Sequence, residues 1–430
     1  MRSPLSSVCL AATASAQYSS SLLPSNPGGA LPANVQAPPT SGFHNATIHP
    51  ARGGLAVCSS GFVSVQANTT KNLKFNFDLP TNQSDVTNTF LKFITPGSSF
   101  MKDIMAGTQS VNGTYNIGAT LCTPANNTKP EQVQILTHGV GFDRQYWDFA
   151  PGYSWVDIAA QYDHATFFYD RLGVGLSEQA DALNVVQAPL EVEIAHQLVQ
   201  KLKAGEFGLN FTKIVGVGHS FGSIVTQAVT AEYPTDLGKS SPSPSPAPGS
   251  PPKLILYILS PLDAAILTGF STNSSSLPIF LTGLNLALAL PASPYRFASI
   301  PPGYLVSSTT ISNQIAFFRT PGFSPSILNL AEATKGTVTF GELFSQNAPT
   351  KPAGEFKGAV AIVNGAEDLP FCGGNCSYPT DLPRQALEML YPGTNVTGTF
   401  LAEVAGHGVN LHFSAGEAFR FAQEFLGRNV

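Results

Sequence analysis

A serine flanked by glycines, Gly218-His219-Ser220-Phe221-Gly222, is the group of residues in this sequence with the clearest capacity for chemistry. It lies between an apolar run, Ile214 to Val217, that reads as a strand and a segment from about Ser223 that reads as a helix. A tight bend at that junction would hold the serine in a strained backbone conformation, and neighbours without side chains would let strand and helix approach each other. The hydroxyl would then stand above a helix N-terminus, where developing negative charge is favoured. Ser220 is therefore the expected nucleophile. A serine hydroxyl is barely ionised at neutral pH and requires a base within hydrogen-bond reach. Of the eight histidines, His407 and His412 follow Ser220 in the chain. His407, in Ala405-Gly406-His407-Gly408, is the expected base; His412 reads as a helix-entry residue, and His219 as structural, pointing away from the serine. A carboxylate must fix the imidazole tautomer and stabilise its charged form. Asp368, just past a strand over Ala359 to Val363, is the choice, with adjacent Glu367 and Asp263 as the alternatives. Two backbone N–H groups would complete an oxyanion hole: that of Phe221, and one from the loop His138-Gly139-Val140-Gly141, with Val140 as the donor.

These residues need a scaffold, and the hydrophobic pattern supplies one. Apolar and polar residues alternate over Phe62 to Val65, over Leu73 to Phe77 and in Gly113 to Leu121, as in half-buried antiparallel strands. The pattern then changes to strands alternating with helices, the mark of a parallel sheet with crossover connections. Val133 to Thr137 runs into His138-Gly139, and Ala165 to Tyr169 into Asp170-Arg171. Pro189 to Lys203 reads as a helix with Ile194, Leu198 and Leu202 on one face, Glu191 and Glu193 in its first turn and Lys201 and Lys203 in its last. The helix from Ser223 carries a stripe of Ile224, Val225, Ala228 and Val229 and stops at Pro234. Leu254 to Leu259, Ala359 to Val363 and Thr399 to Val404 read as further strands, with Asp263 following the first of them, and Ala415 to Leu426 as a closing helix. The fold class is thus α/β, a mostly parallel central sheet with an N-terminal antiparallel extension. About a hundred residues separate the strands at Leu259 and Ala359, too many for a simple crossover, so residues 264–355 are expected to form a cap. Residues 238–252, with repeated Ser-Pro, read as a solvated spacer.

Composition limits the function. Hydrophobic residues make up 43% and charged residues 11% of 430, enough apolar material for one large core, and the net charge of −5 includes no basic run. Nucleic acid is not an expected partner. Arg2, an apolar stretch around Val8 to Ala12 and the small residues Ala14-Ser15-Ala16 read as a signal peptide over residues 1–16, followed by a flexible leader over 17–42 and a domain over 43–430. Asn-x-Ser/Thr acceptors at Asn45, Asn68, Asn82, Asn112, Asn126, Asn210, Asn273, Asn375 and Asn395 together favour a secreted glycoprotein. Cys9 would leave with the signal, and the even set Cys58, Cys122, Cys372 and Cys376 suits an oxidising compartment. Three pairings are possible. Cys58 with Cys122 and Cys372 with Cys376 is preferred because the second pair closes a short Gly-Gly-Asn loop; a zinc site would lack two further ligands. Leu277 to Leu290, interrupted by Pro278, Gly283 and Asn285, is too short to span a bilayer. No cofactor is expected.

Taken together, Gly218 to Gly222, Leu136-Thr-His-Gly139, Tyr146-Trp-Asp-Phe149 and Tyr169-Asp-Arg-Leu-Gly-Val-Gly-Leu-Ser177 resemble the α/β-hydrolase superfamily, over roughly residues 110 to 430, and look like secreted fungal serine hydrolases. The resemblance implies nucleophile, acid and base in that chain order. It also implies cleavage of an ester, thioester, lactone or amide through an acyl-enzyme. Epoxide hydrolases and haloalkane dehalogenases on this fold use an aspartate where this chain has Ser220, so their reactions are disfavoured. A carboxylic ester with a small to medium apolar acyl group is the leading substrate, because the cap supplies Leu, Ile and Phe for a pocket. An aminopeptidase would need acidic cap residues such as Glu332 and Glu342 to hold the substrate amine, and a non-catalytic binding protein of the same fold is the third reading.

Overall fold

The computed structural model describes residues 35–234 and 262–430. The signal segment, most of the leader, the Ser-Pro spacer and the strand expected over Leu254 to Leu259 lie outside the described residues. Residues 35–42, expected within the leader, lie against the body: Pro38 is buried and its carbonyl accepts the Ser59 hydroxyl at 3.0 Å.

An antiparallel extension opens the fold. Strands β1 (His44–Pro50), β2 (Ala56–Phe75) and β3 (Met105–Pro124) pair in order, with Cys58 opposite Cys122 in the register and joined to it by a disulfide. Between β2 and β3 stand helices α1 (Gln83–Ile94), capped by the Asn82 side chain, and α2 (Phe100–Ile104). The parallel part follows as β4 (Gln132–Thr137), α3 (Trp155–Gln161), β5 (Ala165–Tyr169), α4 (Ala188–Lys203), β6 (Lys213–His219), α5 (Phe221–Glu232) and β7 (Ala264–Thr268). Every residue of β4, β5 and β7 is buried; β5 and β7 carry only apolar residues, tyrosine and threonine, while β4 also buries Gln132 and Gln134.

The segment from residue 269 to 358 is inserted before the sheet resumes. It folds as α6 (Leu277–Leu284), β8 (Ala287–Leu288), α7 (Ala289–Ala292), β9 (Tyr304–Val306), α8 (Thr310–Phe317), α9 (Pro325–Thr334), β10 (Val338–Thr339) and α10 (Phe340–Ser345), its short strands pairing as β10-β9-β8. The chain ends with β11 (Ala359–Gly365), α11 (Leu369–Cys372), α12 (Leu382–Leu390), β12 (Thr397–Ala402) and α13 (Ala415–Asn429). The sheet order is β1-β2-β3-β5-β4-β6-β7-β11-β12, parallel from β5 onward. Helices α4 and α5 pack together on the sheet, while α13 packs on α3, β11 and β12.

One boundary is corrected. The place in the sheet between β6 and β11 is taken by Ala264–Thr268, so the insertion starts after Thr268 and not at residue 264. Asp263 consequently precedes its strand. It sits at the edge where the parallel strands begin, its carboxylate accepting the Ile214 N–H at 2.7 Å, on the opposite edge from Ser220. Among the described residues, no helix is long and apolar enough to cross a membrane.

Candidate active site

Ser220 links the last residue of β6 to the first of α5, with φ 55° and ψ −118°, a conformation costly for any residue with a side chain. The surroundings enforce the bend. A Cβ on Gly218 would stand 2.4 Å from the Gly222 carbonyl oxygen, and one on Gly222 would stand 2.0 Å from that of Thr137, so neither position admits another residue. The Ser220 N–H donates to the Thr268 carbonyl at 2.9 Å, tying the bend to β7.

The parallel strands direct their following loops to one edge, and three side chains meet there. His407, in the loop after β12, lies with Nε2 2.8 Å from Ser220 Oγ and Nδ1 2.6 Å from Asp368 Oδ2. Asp368 follows β11 and caps α11, its other oxygen accepting the Phe371 N–H at 2.9 Å. Both partners of that ion-pair geometry are fully buried, and Ser220 is buried as well at 8% exposed, so the chain of bonds is shielded from water. Glu367 points elsewhere, to Arg319.

The sheet, the bend and the inserted segment agree with a sequence match over residues 134–420 to the model of the alpha/beta hydrolase family. This chain is an α/β hydrolase. Solved structures similar to it include a bromoperoxidase from Bacillus anthracis (15% identity, covering 73% of this chain and 96% of that one, TM-score 0.45) and carboxyl esterase 2 from the mycorrhizal fungus Tuber melanosporum (14%, 73% and 82%, 0.40). Another is epoxide hydrolase A from Mycobacterium thermoresistibile (13%, 73% and 96%, 0.44). No curated protein matches the sequence.

Within this α/β hydrolase, Phe221 begins α5 and the Val140 loop follows β4, close enough to the bend that a Cβ on Gly139 would stand 2.8 Å from the Ser220 Cβ. Two histidines behave differently from expectation. The His219 ring does not turn away: it stacks on Tyr146 with centroids 4.5 Å apart and lies 4.9 Å from the His407 ring, its Nδ1 within 3.0 Å of the Thr268 hydroxyl. Burial holds it well below the usual imidazole range, and it stays neutral beside His407. His412 is an anchor of the His407 loop. Its Nε2 accepts the N–H groups of Gly406 (3.1 Å) and Arg319 (2.9 Å), and its Nδ1 donates to the Gly408 carbonyl (2.9 Å).

Aromatic side chains wall the site. Phe280 of α6, Phe317 of α8 and Phe371 of α11 place their rings 5.5, 5.9 and 5.8 Å from the His407 ring. Other residues of α6 and α8, among them Ile279, Ile311 and Ile315, join Leu91 and Ile94 of α1 in lining an open apolar groove of about 810 Å³. Cys372 and Cys376 form a disulfide in the turn after Asp368. Of the nine glycosylation acceptors, eight have exposed asparagines and Asn273 is half-buried. Among the described residues there is no cluster of His, Cys, Asp and Glu able to hold a metal.

Proposed function

We propose that this α/β hydrolase is a secreted serine hydrolase that cleaves a carboxylic ester through an acyl-enzyme on Ser220. The observation that carries the reading is the bonded chain Ser220 to His407 to Asp368, at 2.8 and 2.6 Å. In the first step the Ser220 oxygen attacks the substrate carbonyl carbon while its proton passes to His407 Nε2. The carbonyl oxygen becomes an oxyanion facing the N–H groups of Val140 and Phe221. The adduct collapses, the C–O bond to the alcohol breaks, and the leaving oxygen takes the proton from His407. Water then repeats the sequence against the acyl-enzyme and releases the acid. Asp368 holds Nδ1–H and stabilises the imidazolium formed in each half.

The walls of Phe280, Phe317 and Phe371 favour a compact apolar acyl group, and the inserted segment serves as the cap that supplies two of them. The same apolar chemistry would accept a lactone or a thioester. An aminopeptidase is less suited to this site: Glu332 holds Lys335 and Asn313, and Glu342 is buried against Arg171, so neither is available to bind an amine. Two disulfides and mostly exposed glycosylation acceptors support export into an oxidising compartment.

A fluorophosphonate probe should label the purified protein and leave Ser220→Ala unlabelled, with p-nitrophenyl esters turned over faster than amino-acid anilides. A folded protein that neither reacts with the probe nor turns over any ester would be a binding protein of the hydrolase fold. A size loss on enzymatic deglycosylation of the secreted protein checks the export reading.

A further inference from the structure

Arg171, the residue after Asp170 at the end of β5, is 1% exposed and serves no step of the mechanism above. Its guanidinium pairs with Glu191 of α4 at 2.9 Å and with Glu342 of α10, and lies 4.5 Å from the centroid of the Phe221 ring. Its NH2 group also reaches the Gly139 carbonyl oxygen at 3.5 Å. The same carbonyl has a closer partner, His138 Nδ1 at 2.8 Å, and His138 Nε2 is 3.0 Å from the Arg171 backbone N–H. A backbone N–H can only donate, so Nε2 accepts and Nδ1 carries the proton given to Gly139. Burial keeps this imidazole neutral, which the arrangement requires.

The Gly139 carbonyl and the Val140 N–H belong to one planar peptide and point in opposite directions. Fixing the oxygen therefore fixes the direction of the N–H. We infer that His138 and Arg171 are positioning residues of the oxyanion hole, aiming the Val140 N–H through the carbonyl behind it, and that Glu342 makes this aim depend on the inserted segment. The inference rests on the serine-hydrolase reading above. Two contacts carry the dependence. Glu342 gives one oxygen to Arg171 while the other accepts the Thr339 N–H at 2.7 Å to close the cap of α10, and the Gly336 N–H donates to the Gly141 carbonyl at 2.9 Å on the same loop. A segment docked in place thus completes the hole, and one released from the body leaves it slack.

The test compares wild type with Arg171→Lys, which keeps the buried charge but not the fork, and with Glu342→Gln, which leaves Arg171 one carboxylate for its one charge and serves where the first variant does not fold. For Arg171→Lys, kcat on a p-nitrophenyl ester should fall roughly 10- to 100-fold, short of the roughly 100- to 1,000-fold cost of deleting an oxyanion donor. KM should stay within about twofold, because ground-state binding is untouched. A trifluoromethyl ketone, which forms an oxyanion on the serine, should lose affinity by the same factor as kcat/KM. Glu342→Gln should move kcat and inhibitor affinity together in the same direction, by less. Lowered thermal stability with kcat and ketone affinity unchanged in the folded variants would overturn the inference and leave a merely structural ion cluster. A folded wild type without turnover or serine labelling would instead overturn the reading beneath it.

Discussion

At Ser220 the backbone is held at a positive φ by two close approaches that only glycine permits, and the strain is spent on placing one oxygen 2.8 Å from an imidazole. Groups joined in such a chain act as a unit, so their losses do not add. Ser220→Ala and His407→Ala should each lower kcat by roughly 10⁶-fold, and the double variant should be no worse than either alone. Asp368→Asn should cost about 10⁴-fold, because an amide no longer favours the tautomer with a proton on Nδ1. Asp263→Asn should leave the rate near wild type, since its carboxylate caps the far edge of β6. Steady-state kinetics on folded variants decides each case. Near-wild-type turnover in Ser220→Ala, or a larger loss from Asp263→Asn than from Asp368→Asn, would remove the assignment.

Among the elements, the loop after β12 depends on His412 as much as on its own glycines. The ring is buried, its Nε2 accepts two backbone N–H groups, and its pKa is pushed down to about 4 by burial. The unfolded chain takes up this proton below about 6.5 and the folded one only near 4, so the unfolded state binds more protons between those values and stability falls as the pH drops through them. The whole effect is of order 3 kcal/mol. Asp143 and Asp148, raised to about 6 with burial the largest cause, act with the opposite sign between about 6 and their ordinary range, which is why the comparison must be made against a variant. Wild type should exceed His412→Gln in stability at pH 7, and urea unfolding should show the gap narrowing by about 2 kcal/mol at pH 5. A gap constant with pH would mean that His412 does not titrate this way.

That loop also marks where sequence reading stops. That His407, Asp368 and Ser220 meet at one edge of the sheet was legible because each follows a strand beside glycine or polar residues. The roles of His412, His219 and Arg171 were not, because their partners are backbone groups and rings from distant parts of the chain. The strand Ala264–Thr268 was missed for another reason. A fully buried parallel strand has no alternation, and the longer apolar run at Leu254 to Leu259 satisfied the same criterion, so only the sheet itself decides that Asp263 precedes a strand. Helices α1 and α2 were unread too, although Asn82 caps α1 and its buried Val86, Thr89 and Phe90 stand at helical spacing.

Across the whole molecule, the insertion between β2 and β3 and the one between β7 and β11 meet in a single aromatic cluster. Phe344 of α10 has its ring 5.3 to 5.7 Å from those of Phe75, Phe77, Phe93, Phe100 and Phe340. It is 6% exposed, and its replacement by alanine should cost about 3 to 5 kcal/mol, a large part of the stability of an ordinary domain. The loss falls on the docking of the inserted segment and not on the sheet beneath it. The two tryptophans of the chain, Trp147 and Trp155, are both buried in the body, so their fluorescence follows the body alone, while the ester turnover proposed above would require the docked segment as well. In wild type the two signals should be lost over the same range of urea, as for a cooperative unit. In Phe344→Ala, turnover should fail at a lower urea concentration than fluorescence. If both transitions shift together in the variant, the inserted segment and the body unfold as one, and release of the segment from an intact sheet is not a state this molecule visits.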